Sequence, residues 1–265
     1  MVELRPPRAD LTSAESMDVW IDLHHALGRL IGDGRHVFVT DSAVGQAEEE
    51  NLAHLMANLP EELPRDLLVP ILTCKHTLDY CTLYAQRAHA AGLQALTVVG
   101  GDKGVGHARC VPHAYLLRQH LREKAPELDL GGWANPHRPT QEQAGFLTAP
   151  GYTADFYLTQ IVSHHDAPGL ESLVHELEVR DADLAGVAGI FLYRTPNRKT
   201  LERLGQYFPV PVEQILSDFD SGLTAEQICA LSIRAALDAG ARGVYVSNLG
   251  LSGAKRRLAR VLAHL

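Results

Sequence analysis

Leu68-Val69-Pro70-Ile71-Leu72-Thr73-Cys74-Lys75-His76 is apolar at nearly every position and turns polar only at its C-terminal end. A strand with one wet face alternates apolar and polar residues, whereas a continuous apolar run needs cover on both faces, as in a parallel sheet. Working outward from this stretch, the first half of the chain holds similar runs at Val2–Leu4, His36–Thr40 and Gln94–Gly100. The second half holds them at Leu128–Trp133, Asp155–Gln160, Val187–Tyr193 and Gly243–Asn248. Helical periodicity fills the intervals: Ala14–Ile31, with Val19, Leu23, Leu27 and Leu30 on one face, then Leu78–Ala91, His113–Lys124, Leu170–Val179 and Ala225–Ala239. Thr224, followed three residues later by Gln227, offers a capping box for the last of these. Eight strands, each followed by helical material, predict a single (β/α)8 TIM barrel spanning residues 1–265. An open doubly wound sheet would carry a glycine-rich turn after its first strand, and Arg5-Pro6-Pro7-Arg8 stands there instead.

Composition narrows the function classes. The formal charge of −8 argues against nucleic acid as the main partner. No apolar run approaches the roughly 20 residues that span a bilayer, and the first residues hold no apolar segment of the secretory kind. The cysteines, Cys74, Cys81, Cys110 and Cys229, form no CxxC pair, so a tetrathiolate zinc site and a disulfide framework are both disfavoured. The reading is of reduced thiols and a cytoplasmic protein with a small-molecule substrate; the oligomeric state is left open.

In a parallel barrel the active site lies at the C-terminal ends of the strands. This chain places Glu3 and Arg5 at the first, Thr40-Asp41 at the second, Thr73-Cys74-Lys75-His76 at the third and Gly100-Gly101-Asp102-Lys103 at the fourth. Trp133 to His137 end the fifth, Gln160 and Ser163-His164-His165-Asp166 the sixth, Tyr193-Arg194 the seventh and Ser247-Asn248 the eighth. Glu3 directly continues an apolar strand. A carboxylate there costs several kcal/mol unless paired or neutralised, which is the environment of an acid with a raised pKa.

Five segments resemble the methylenetetrahydrofolate reductases: Val2 to Arg8, Leu72-Thr73-Cys74, Leu96 to Asp102, Trp133 to His137 and Ala154 to Gln160. The resemblance implies reduction of 5,10-methylenetetrahydrofolate to 5-methyltetrahydrofolate in methionine biosynthesis. It implies Glu3 as the general acid, Asp102 stabilising the iminium and binding the pterin, and Gln160 and Tyr193 as further substrate contacts. It also implies Thr40, Thr73, Gly101, Trp133 and His137 around the cofactor. Flavin-binding members carry a histidine where Ile71 stands, an arginine where Gly100 stands, and an Arg-Lys pair that has no counterpart here. The reading therefore favours hydride transfer directly from NADH or NADPH over FAD. The alternatives are a folate–corrinoid methyltransferase barrel and a non-catalytic folate-binding barrel.

Two constellations stand outside that reading. His164-His165-Asp166 hints at a metal, but adjacent histidines diverge on a strand and no HxxxH pair accompanies them, so no metal is expected. Lys75 and Lys103 are positioned for an anionic tail or a cofactor phosphate.

Overall fold

The computed structural model describes residues 1–41, 48–59, 62–101 and 107–265. In chain order it runs β1 (Val2–Leu4), α1 (Ser13–Ile31), β2 (Val37–Val39), α2 (Asn51–Asn58), β3 (Leu68–Thr73), α3 (Leu78–Ala90), β4 (Ala95–Val99), α4 (Ala114–Lys124), β5 (Asp129–Ala134) and α5 (Thr140–Thr148). It continues with β6 (Phe156–Val162), α6 (Pro168–Val179), β7 (Ala185–Phe191), α7 (Arg198–Leu204), α8 (Val212–Asp220), α9 (Ala225–Asp238), β8 (Gly243–Ser247) and α10 (Ala254–Leu262). The strands follow one another in sequence order and close on themselves, which makes a single (β/α)8 barrel. The chain falls into two compact units, one of Met1–Gly132, Thr153–Asp155 and Gly250–Lys255, the other of Trp133–Tyr152, Phe156–Leu249 and Arg256–Leu265.

In the first unit the parallel register runs Val2↔Val37, Val37↔Leu68, Ile71↔Thr97 and Ala95↔Asp129. All six residues of β3 are buried, as an unbroken apolar run requires. Helix α1 buries Trp20, Leu23, Leu27 and Leu30 on one face. It starts at a capping box that the hydrophobic pattern does not reveal: Thr12 Oγ1 accepts from the Glu15 amide, and the Glu15 carboxylate accepts from the Thr12 amide at 2.9 Å.

In the second unit β7 lies between β6 and β8, with Tyr157 opposite Gly186 and Tyr245 opposite Gly189. Tyr157 joins Ala144, Leu147, Leu173 and Leu177 in one buried cluster with α5 and α6. The Tyr245 hydroxyl donates to the Thr159 carbonyl at 2.9 Å, and the Thr159 hydroxyl accepts from the Gly189 amide at 3.0 Å. Neither ring would fit if β7 carried side chains at those two glycines: a Cβ on Gly189 would lie 2.5 Å from the Tyr245 hydroxyl. The expected capping box Thr224–Gln227 opens α9.

Helices α2, α7 and α8 add to the expected elements. They are short, seven to nine residues each, and a short helix stands on tertiary packing rather than on its own propensity.

This packing yields a paired test. Gly189→Ala should lower stability by about 1 to 3 kcal/mol through overpacking against Tyr245. Gly145→Ala lies inside α5, where a new Cβ meets nothing nearer than 3.9 Å, and should raise stability by roughly 0.5 to 1 kcal/mol. Chemical denaturation of both variants checks the pair; equal midpoints would contradict the glycine–tyrosine account.

Candidate functional site

Strand ends in the first unit are tied together by two carboxylates. The Glu48 side chain has 0% of its surface exposed. Its Oε1 accepts from Arg5 Nε at 2.8 Å and its Oε2 from the Thr40 hydroxyl at 2.7 Å. Asp41 Oδ2 accepts from the Thr73 amide at 2.7 Å, the Thr73 hydroxyl at 2.8 Å and His76 Nε2 at 2.8 Å. Thr40 and Thr73, both expected at a cofactor, thus have their hydroxyl protons committed to carboxylates of the fold. Gly101 takes φ +74, its carbonyl accepts from Arg109 Nη2 at 2.6 Å, and a Cβ there would sit 2.8 Å from Lys75 Cγ. Its place in the sequence is explained by backbone conformation and close packing. Glu3 is half-buried between buried Val2 and Leu4. Asp102 and Lys103 lie outside the described residues.

Charge in this cluster follows from its contacts. Burial alone would lower the His76 pKa, but the hydrogen bond and charge of Asp41, with Glu50 adding, outweigh it and raise the value. Burial pushes the Cys74 thiol up to about 11, with neighbouring Cys110 contributing, so it is protonated at neutral pH. All four cysteines are free.

In the second unit β6 is irregular between Leu158 and Ile161, and Thr159 and Gln160 occupy the irregularity. Such bulges re-aim side chains and cluster near functional sites. The Gln160 carboxamide oxygen accepts from the Ile161 amide at 2.9 Å, and His137 Nε2 donates to the Ile161 carbonyl at 2.7 Å. His137 therefore braces β6. Trp133, on β5, is 37% exposed.

The ends of β7 and β8 enclose a cavity of about 290 Å³ lined by Phe191, Tyr193, Arg194, Thr200, Leu204 and Asn248, among others. Tyr193 is 3% exposed, and its hydroxyl is buried with no hydrogen-bond partner among the described residues. Burial, reinforced by the charge of Asp166, raises its pKa, so the phenol keeps its proton at physiological pH. Asn248 holds φ +65 and donates from Nδ2 to the Leu192 carbonyl at 2.9 Å, which fixes the β8 end beside Tyr193. Arg194 is exposed at the rim.

A second cluster lies behind β6. His164 and His165 occupy the turn before α6, their ring centroids 3.8 Å apart. Both Nε2 atoms face Asp218 Oδ2 from α8, at 3.2 and 2.8 Å. Burial lowers the His164 pKa and His165 lowers it further, against the opposing pull of Asp218. Asp218 escapes sequence reasoning because it lies more than fifty residues away on a helix with no motif of its own.

No known family model matches the chain, and no curated protein does. Solved structures do resemble it. A mandelate oxidase mutant carrying a monooxide FMN adduct aligns over 100% of this chain and 72% of its own, with 11% identity and a TM-score of 0.56. Dihydrodipicolinate synthase from Bacillus clausii aligns over 100% of this chain and 73% of its own, with 11% identity and a TM-score of 0.50. At that identity the likeness establishes the barrel fold.

These findings overturn the methylenetetrahydrofolate reductase resemblance, and with it the folate reduction, the NAD(P)H-dependent activity and the methionine-biosynthesis role it implied. The similar barrels carry other names, and no family model supports the reductases. The physical reason lies in the motifs, each an apolar strand ending in one or two polar residues, which is what any parallel barrel imposes on its strand ends. Among the described residues no helix is long and apolar enough to cross a membrane.

The His76–Asp41 contact generates a test of pH dependence. The folded pKa of His76 is raised above 6.5. The stability this contact contributes is therefore complete below that value and is lost as pH rises through the folded pKa. The stability difference between wild type and His76→Gln should be larger at about pH 5.5 than at about pH 8. Taking the difference isolates His76 from His24 and His164, whose lowered values slope the other way. Melting curves at the two pH values check it; a difference independent of pH, or larger at the alkaline end, would contradict the ion pair.

Proposed function

We propose that the chain is a barrel enzyme for a small anionic substrate, a carboxylate or a phosphate ester, seated in the cavity at the ends of β7 and β8. One observation carries the reading: Tyr193 lines that cavity, and its hydroxyl is buried without a hydrogen-bond partner among the described residues. An unsatisfied buried hydroxyl costs about 1 to 3 kcal/mol, and a phenylalanine would fill the same space without that cost. Packing explains the ring, whose centroid lies 5.1 Å from that of Phe191, but it does not explain the oxygen. A ligand atom does.

The neighbours suit an anion. Arg194 supplies a guanidinium at the rim, able to take a carboxylate or phosphate through two parallel hydrogen bonds. Thr195 and Thr200 add hydroxyls and Asn248 an amide. The position agrees with the general habit of barrels, in which loops after the seventh and eighth strands hold anionic groups. Because burial keeps the phenol protonated, Tyr193 acts as hydrogen-bond and proton donor to an oxygen on which negative charge develops, and not as a base. Two sources of the anion fit this chemistry, the substrate's own acid group or the phosphate of a flavin such as FMN, a molecule named with one of the similar barrels.

Titration of the purified protein with small carboxylates, mandelate among them, with phosphate esters and with FMN, followed by calorimetry and flavin absorbance, separates the two sources. Tyr193→Phe should leave the ligand-free protein as stable as wild type or more stable, while weakening the best ligand about tenfold or more. Arg194→Ala should weaken it at least as much. No binding by any member of the panel would sink the proposal, as would a Tyr193→Phe protein that loses stability yet binds normally.

A further inference from the structure

We propose that His164, His165 and Asp218 hold a divalent transition-metal ion, with a fourth coordination position open to water or a substrate oxygen. The ligand atoms are His164 Nε2, His165 Nε2 and Asp218 Oδ2, all within 4.8 Å of one another.

Three features of the cluster lead there. The first is the tautomer of His164. Ser232 donates its hydroxyl proton to the Ile228 carbonyl one helical turn back, at 3.2 Å. Only its lone pairs remain for His164, which approaches through its backbone amide at 3.3 Å and through Nδ1 at 3.0 Å. With the Ser232 proton on the Ile228 side, the proton of the neutral ring sits on Nδ1, and the Nε2 lone pair faces Asp218 Oδ2, 3.2 Å away. Two acceptors at that separation repel unless a proton or a metal ion lies between them. Ser232 is itself 3% exposed, and a hydrogen bond from the non-ligating ring nitrogen is the arrangement that orients metal-bound histidines.

The second feature is the convergence of the rings. Adjacent histidines diverge on a strand, but this pair lies in the turn after β6, and both Nε2 atoms face the same carboxylate oxygen. Two protonated rings with centroids 3.8 Å apart would repel each other, whereas one cation between them and the carboxylate satisfies all three groups. The third feature is metric. A tetrahedral ion with ligand bonds of about 2.0 to 2.1 Å places its ligand atoms about 3.3 Å apart. The His164 contact, at 3.2 Å, already has that separation, and the His165 contact, at 2.8 Å, needs to open by only a few tenths of an ångström.

Two imidazoles and a carboxylate suit zinc and its first-row neighbours rather than magnesium or calcium, which favour oxygen donors. Three protein ligands are the complement of a catalytic rather than a structural zinc site. The side chains are 15 to 22% exposed, so the open position is within reach of solvent. The site does not depend on the β7–β8 cavity, and its test reads metal binding, not turnover.

Chelator-treated protein titrated with Co²⁺ should bind one ion per chain and develop the visible d–d bands of a low-coordinate site, which Zn²⁺ then displaces. His165→Ala and Asp218→Ala should each abolish those bands. Ser232→Ala should weaken binding about 10- to 100-fold. His175→Ala, which removes an exposed histidine paired with Glu178 on α6, should bind as wild type. Circular dichroism confirms folding, and His165→Gln with Asp218→Asn replaces any alanine variant that fails to fold. Absence of stoichiometric Co²⁺ binding, or bands that survive both the His165 and the Asp218 substitutions, would overturn the proposal.

Discussion

A strand covered on both faces has room for polar side chains chiefly at its ends, because a buried polar group without a partner costs too much free energy elsewhere. That constraint orders the polar chemistry of this protein. In the first unit it gathers Thr40, Asp41, Glu48, Thr73 and His76 where β2 and β3 finish and joins them through Glu48 and Asp41. In the second it places Gln160, His164, Tyr193 and Asn248 at or just beyond the ends of β6, β7 and β8. Burying a carboxylate such as Glu48 is made tolerable by partners such as the guanidinium and the hydroxyl that meet its two oxygens. Removing one partner of such a group typically costs 3 to 5 kcal/mol.

Much of the fold is legible in the sequence because the hydrophobic period carries it. The expected strands Val2–Leu4 and Leu68–Thr73 coincide with β1 and β3, and the other expected strands differ from the observed ones by a few residues at their ends. Those shifts occur where strand and loop share the same polar residues: Asp155, expected to open β6, instead caps the β5 edge by accepting from the Leu130 amide at 2.7 Å. The pairing of Gly186 and Gly189 with two tyrosines is not legible, because both glycines read locally as weak strand formers. Their necessity appears only once β6 and β8 lie alongside.

The candidate site was less legible, for a reason of the same kind. Sequence places a polar residue at a strand end, but it does not say whether that residue is already engaged. Thr40, Thr73 and His137 were correctly placed at strand ends, yet each now holds a neighbouring strand or carboxylate. The strand-end motifs that resembled one enzyme family are largely the motifs of the architecture. Asp218 was invisible because its importance comes entirely from the two imidazoles it faces across the chain.

Accounting for partners separates structural strand ends from functional ones. A ligand at Asp41 would have to displace three hydrogen bonds that hold β3 to β2, and it would inherit their loss as a penalty on binding. A ligand at Tyr193 displaces nothing from the protein. It meets a hydroxyl whose desolvation is already complete in the folded chain, so the new bond is not offset by the breaking of an old one. On the proposed reading, the folded protein carries a cost at Tyr193 that binding relieves. This is how natural proteins hold binding groups in a competent arrangement at the expense of stability. By the same reasoning the site proposed for this chain lies at the ends of β7 and β8, while the described carboxylates Glu48 and Asp41 of the first unit are tied into the fold.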